Sequence, residues 1–90
     1  MQAVVLLVKG RVQAVGYRRF VKGIADELGV RGTVRNLPDG TVEITCDAEE
    51  GALTEFERRI ASCAHPIRVE EVRKKEIPSE KEFGGFGIVL

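Results

Sequence analysis

The sequence carries no excess charge of either sign: 14 Lys and Arg balance 14 Asp and Glu over 90 residues, a formal net charge of zero. The basic footprint that usually announces a nucleic-acid-binding chain is therefore missing. Long apolar runs are missing as well. The longest, Ala3 to Val8, falls far short of the ~20 residues needed to span a bilayer, and no charged segment followed by an apolar stretch precedes it as in a signal peptide. Cysteine is scarce, with Cys46 and Cys63 fitting neither a metal-ligand spacing nor a Cys-x-x-Cys redox pair. Histidine occurs once, as His65 in an Ala-His-Pro connection, and reads as a loop residue rather than a base or a ligand.

What is present is an ordinary globular balance of 43% hydrophobic and 31% charged residues. A chain of this length forms one domain over residues 1–90, and it must bury its core efficiently because small domains bury only about 60–65% of their unfolded surface. Ala3 to Lys9 is apolar on both faces, as a central strand is, and Gly10 stops it. Val5 and Leu7 point to a partly covered outer face. Phe20, Val21, Ile24, Ala25 and Leu28 recur at helical spacing, which predicts a first helix over Arg18 to Leu28 with Gly29 as its terminating glycine. Val30 to Leu37 and Thr41 to Cys46 alternate as strands around Leu37-Pro38-Asp39-Gly40, whose proline presets the turn. Asp47 and Glu50 resemble a capping box opening a second helix, marked by Leu53, Phe56, Ile60 and Cys63. Ile67 to Ile77 is a fourth strand whose alternation slips between Val69 and Val72, as at a bulge. Pro78 to Glu82 links to a short last strand, Phe83 to Leu90.

This order predicts an α+β class: a ferredoxin-like βαββαβ sandwich with an additional C-terminal strand and two helices on one face of an antiparallel sheet. Cys46 and Cys63 then stand at opposite ends of a helix of about 14 residues, roughly 20 Å apart. A disulfide needs its Cα atoms within ~7 Å, so two reduced thiols in a cytoplasmic protein are expected. The first two strands, joined through a helix, run parallel with the third between them. That connectivity lets residues Gly10 to Arg19 face the neighbourhood of Asn36.

The segment Gly10-Arg-Val-Gln-Ala-Val-Gly-Tyr-Arg-Arg19 runs into a helix N-terminus, where unpaired N–H groups and the positive end of the dipole suit a phosphate. It is neither a Walker A loop nor a Gly-x-Gly-x-x-Gly fingerprint. Composition alone leaves two readings open, a phosphate cradle with a bidentate arginine or a strand-to-helix turn with solvated arginines.

Those same residues resemble the acylphosphatase signature, Gly-x-Val-Gln-Gly-Val-x-Phe/Tyr-Arg. A second signature of that family, Gly-x-Val-x-Asn-x-x-Asp-Gly-x-Val, is matched by Gly32-Thr-Val-Arg-Asn36-Leu-Pro-Asp-Gly-Thr-Val42. The resemblance covers nearly the whole chain and favours the cradle. It implies hydrolysis of a carboxyl–phosphate anhydride to carboxylate and inorganic phosphate, without a metal or other cofactor. It gives catalytic roles to Arg18, which would hold the phosphoryl group, and Asn36, which would orient the attacking water. The substrate-binding segment is then Gln13, Ala14, Val15, Gly16, Tyr17 and Arg18, with Arg19 a solvated helix residue and Asp39 serving the turn. The expected partner is a small-molecule acyl phosphate, with no nucleic acid or membrane and a monomeric state.

The family has glycine where this chain has Ala14. If the backbone there needs positive φ, alanine costs on the order of 1–2 kcal/mol, and its methyl crowds the phosphate. Activity is then retained but reduced. A rival reading is a phosphate-binding regulatory module with little turnover, and a variant of it is the N-terminal part of carbamoyl-transfer maturation proteins, which continue beyond this length. RNA recognition, which the same fold also hosts, wants aromatics on the central strands. Ala3 to Val8 and Thr41 to Cys46 have none.

Overall fold

The computed structural model describes residues 2–78 and 84–89. Its elements are β1 (Gln2–Arg11), α1 (Tyr17–Leu28), β2 (Arg31–Asn36), β3 (Val42–Ala48), α2 (Glu50–Ile60), β4 (Arg68–Ile77) and β5 (Phe86–Val89). The strands form one sheet in the order β4-β1-β3-β2-β5. Neighbours are antiparallel except for β5, which is added parallel to β2, so the sheet is mixed at that edge. β1 and β2 flank β3, as connectivity requires. Of the expected link and last strand, residues 79–83 and Leu90 lie outside the described residues.

Both helices cover the same face. Val4, Leu6 and Val8 of β1 and Val42, Ile44 and Cys46 of β3 share one buried cluster with Val21, Ile24 and Ala25 of α1 and Leu53, Phe56 and Ile60 of α2. On the opposite face Val5 and Leu7 are half-buried. Leu7 stands in register between Arg73 and Glu43, and Val5 between Lys75 and Thr45, so the long side chains of neighbouring strands cover them.

Two boundaries differ from expectation. Gly10 does not stop β1, which continues to Arg11. A Cβ at Gly10, whose φ is 137°, would lie 2.0 Å from the Arg68 carbonyl oxygen, so glycine permits a close approach of β4. The β4 register slips at this point, where Lys9 faces Glu71 and Gly10 faces Val69, leaving Glu70 as the bulged residue. The second difference concerns Asp47, which caps nothing. It extends β3 between Ala3 and Arg31, is buried, and places Oδ1 3.1 Å from Arg31 Nη2. Helix α2 starts instead at Glu50, with Glu49 at the cap position and no side-chain cap bond. Two strand partners and an ion pair outweigh a single capping hydrogen bond there.

Helix α1 ends as expected, with Gly29 left-handed (φ 72°) and Val30 N donating to Ala25 O at 2.9 Å. One face of α1 also holds β5. Lys22 Nζ donates to Phe86 O at 3.1 Å and to Asp26 Oδ2 at 2.8 Å. This grip keeps β5 beside the N-terminal end of α1.

Candidate active site

The segment between β1 and α1 has two left-handed residues, Ala14 at φ 61° and Gly16 at φ 82°, with Gly16 in the cap position of α1. Such conformations turn consecutive N–H groups toward one side, the arrangement of an anion-binding concavity. No hydrogen bond among the described residues engages the N–H of Ala14, Val15 or Gly16. The first N–H groups of α1, at Tyr17 and Arg18, have no partner within the helix either, and its positive dipole end points the same way. Ala14 is exposed, and Val15 packs against the core.

Gln13 is differently placed from its neighbours. Its Nε2 donates to Leu37 O at 2.8 Å and to Thr41 O at 2.9 Å, bridging the β2–β3 turn. The side-chain amide nitrogen is thus engaged in structure, which leaves the backbone N–H as the donor for an anion. Leu37 follows Asn36 directly, so this bridge draws the segment after β1 toward the end of β2. The turn is held from its other side by Asp39, whose Oδ1 accepts from Thr41 N at 3.0 Å and Thr41 Oγ1 at 2.6 Å. Those bonds, the hydroxyl's first, keep the Asp39 carboxyl below its ordinary pKa. Asp39 serves the turn, as its position suggests.

Tyr17 turns inward. Its ring is buried and its hydroxyl donates to Ile60 O at 2.9 Å, tying α1 to the end of α2. Burial, and secondarily the Cys63 thiol, raise its pKa well above the ordinary value. Its contribution to a ligand is therefore limited to its backbone and ring edge. Arg18 is half-buried, and its Nη1 donates to the β5 carbonyl of Val89 at 3.1 Å. This acceptor was not visible in the sequence, because it depends on β5 lying parallel beside β2.

A cleft of about 350 Å³ opens at this place, lined by Val12, Ala14, Gly16, Tyr17, Arg18, Arg19 and Ile88. Arg19 is exposed, as expected of a helix residue, yet it also borders the cleft. Val12 and Ile88 form apolar walls that motif reading overlooked. Asn36 is half-buried at the end of β2, in register with Val42. Its Oδ1 is buried without a hydrogen-bond partner, so the Nδ2 group is the open end of the carboxamide.

His65 is exposed in the turn before β4, whose Arg68 pairs with Arg11 at the end of β1. Cys46 and Cys63 are free thiols. Among the described residues no cluster of three or more His, Cys, Asp or Glu side chains is placed to hold a metal ion. No described helix is long and apolar enough to cross a membrane.

Comparison with known proteins bears on this arrangement. A family model described as Acylphosphatase matches residues 4–88. A relative named Acylphosphatase from Lactobacillus johnsonii is 41% identical over 90 residues, covering 99% of each chain. The crystal structure of acylphosphatase from Bacillus subtilis superposes with a TM-score of 0.95 at 34% identity over 100% of both chains. The crystal structure of T. kodakarensis HypF matches with a TM-score of 0.87 at 36% identity, where this chain spans 12% of that much longer protein.

Proposed function

Because the chain belongs to the acylphosphatase family, we propose that it hydrolyses acyl phosphates without a metal, using the cleft at the start of α1. In this reading the N–H groups from Ala14 to Arg18 and the Arg18 guanidinium hold the phosphoryl oxygens. The Asn36 amide nitrogen donates to a water oxygen and leaves a lone pair of that water free to attack phosphorus. The new P–O bond forms in line as the bond to the acyl oxygen breaks. The carboxylate leaves with the bonding electron pair, and the water's proton passes to a phosphoryl oxygen.

The chemistry asks little else of the protein. A carboxylate has a pKa near 4, so it departs without a general acid. What remains is positioning and the stabilisation of phosphoryl charge, which fixed N–H groups and an arginine supply with little reorganisation. The observation that carries the reading is the Gln13 bridge, because it ties a segment with uncommitted N–H groups to the residue next to Asn36. A single domain over residues 1–90, acting as a monomer on a small molecule in the cytoplasm, accompanies this proposal; the two free thiols agree with a reducing compartment.

The test is hydrolysis of benzoyl phosphate in the presence of a chelator by the wild type, Arg18→Ala and Asn36→Ala. Each substitution is expected to lower kcat by roughly 100-fold or more with the circular dichroism spectrum intact. Turnover that needs added metal, or that survives Arg18→Ala, refutes the assignment. The second reading, a module that binds phosphate with little turnover, is favoured by the left-handed Ala14 alone. It predicts phosphate binding without hydrolysis in the wild type.

A further inference from the structure

Resting on the reading of residues 13–18 as the phosphate cradle, we infer that Arg19 selects acyl phosphates whose acyl group carries a second anionic group, a carboxylate at the far end of a short chain. The size of the cleft gives the first support. At about 350 Å³ the cleft has room for more than a phosphoryl group, so a short acyl chain fits beside it. Val12 and Ile88 supply apolar surface for the carbon chain.

Charge gives the second support. No carboxylate lines the cleft, while two guanidiniums do. Arg18 is anchored on Val89 O, but Arg19 makes no hydrogen bond or ion pair among the described residues. Other helix cations are paired, Lys22 with Asp26 and Arg59 with Glu27. Arg19 also lies one residue beyond Arg18, about 100° further round the helix, so it borders the cleft from a different side. A planar fork in that position fits a carboxylate bidentately. The contact is distant from phosphorus and equal in ground and transition states, so it acts on KM rather than kcat.

The experiment compares fumaroyl phosphate with crotonoyl phosphate, two rigid four-carbon substrates that differ in a terminal carboxylate against a methyl group. Their trans geometry prevents internal displacement of phosphate. In Arg19→Gln the ratio of kcat/KM for the first over the second is expected to fall about fivefold, chiefly through KM, and the difference to shrink at high salt. Arg58→Gln, which makes the same charge change on an exposed α2 residue paired with Glu55, is expected to keep the wild-type ratio. An unchanged ratio in Arg19→Gln overturns the inference. So does an equal loss on both substrates, which would place Arg19 on the phosphoryl group. A wild type that hydrolyses neither compound overturns the catalytic reading itself, and this inference with it.

Discussion

Replacing Ala14 by glycine tests the cradle at its most strained point. Ala14 is the non-glycine residue with positive φ among the described residues, at 61°. A left-handed alanine is disfavoured by about 1–2 kcal/mol, because its Cβ crowds the following carbonyl. Glycine removes that cost but adds roughly 0.4–1 kcal/mol of unfolded-state entropy to be lost on folding. The difference leaves Ala14→Gly more stable by about 0.5–1 kcal/mol. For a domain of this size that corresponds to a Tm higher by roughly 2–8 °C. The methyl is exposed and borders the cleft, so its removal also clears space for phosphoryl oxygens, and kcat/KM for benzoyl phosphate is expected to rise several-fold. Thermal unfolding followed by circular dichroism, together with steady-state kinetics, measures both. A lower Tm in the glycine variant refutes the strain argument. A higher Tm with unchanged kcat/KM keeps the strain and discards the crowding.

Two further outcomes follow from buried contacts. Gln13→Ala leaves the Leu37 and Thr41 carbonyls without their side-chain donor, and is expected to cost about 1–3 kcal/mol in urea unfolding while lowering kcat, since the cradle is no longer tied to the turn. Stability should also decline on the alkaline side, for burial pushes the Cys46 thiol from its ordinary 9.0 up to about 12. The folded state favours the neutral thiol, so this contribution is intact below pH 9 and is lost as pH rises toward 12, at about 1.4 kcal/mol per pH unit. The raised Tyr17 hydroxyl adds to the decline from pH 10 upward. Urea titrations at stepped pH should show the early part of this limb greatly reduced in Cys46→Ala.

Much of the architecture was legible because its signals are local. The helical spacing from Phe20 to Leu28, the terminating Gly29 and the Pro38-Asp39-Gly40 turn each specify their own segment, and chain connectivity alone set β3 between β1 and β2. The expectations that failed were those in which a distant partner decides. Asp47 has the spacing of a cap, but its strand neighbours Ala3 and Arg31 hold it in β3. Gly10 resembles a stop, yet it is required by the Arg68 carbonyl of a strand nearly 60 positions later. At the candidate site, motif reading pointed to residues 13–18 and Asn36, but not to the bond that holds the Tyr17 hydroxyl on Ile60. The cleft walls Val12 and Ile88, and the bordering position of Arg19, depend on where β5 docks. No residue near positions 12–19 encodes that.

The hydrogen bond from Arg18 to the Val89 carbonyl joins groups 71 positions apart in the chain. During synthesis from the N-terminus, at roughly 5–20 residues per second, about 4–14 s separate the appearance of the two partners. In the later part of that interval, once Ala48 has been added, β1, α1 and the β2–β3 hairpin can assemble with the guanidinium not yet anchored. A nascent chain would therefore acquire its cradle early and its anchored arginine late. In the proposed mechanism, competence as a catalyst would date from the arrival of β5, long after residues 10–18 have been translated.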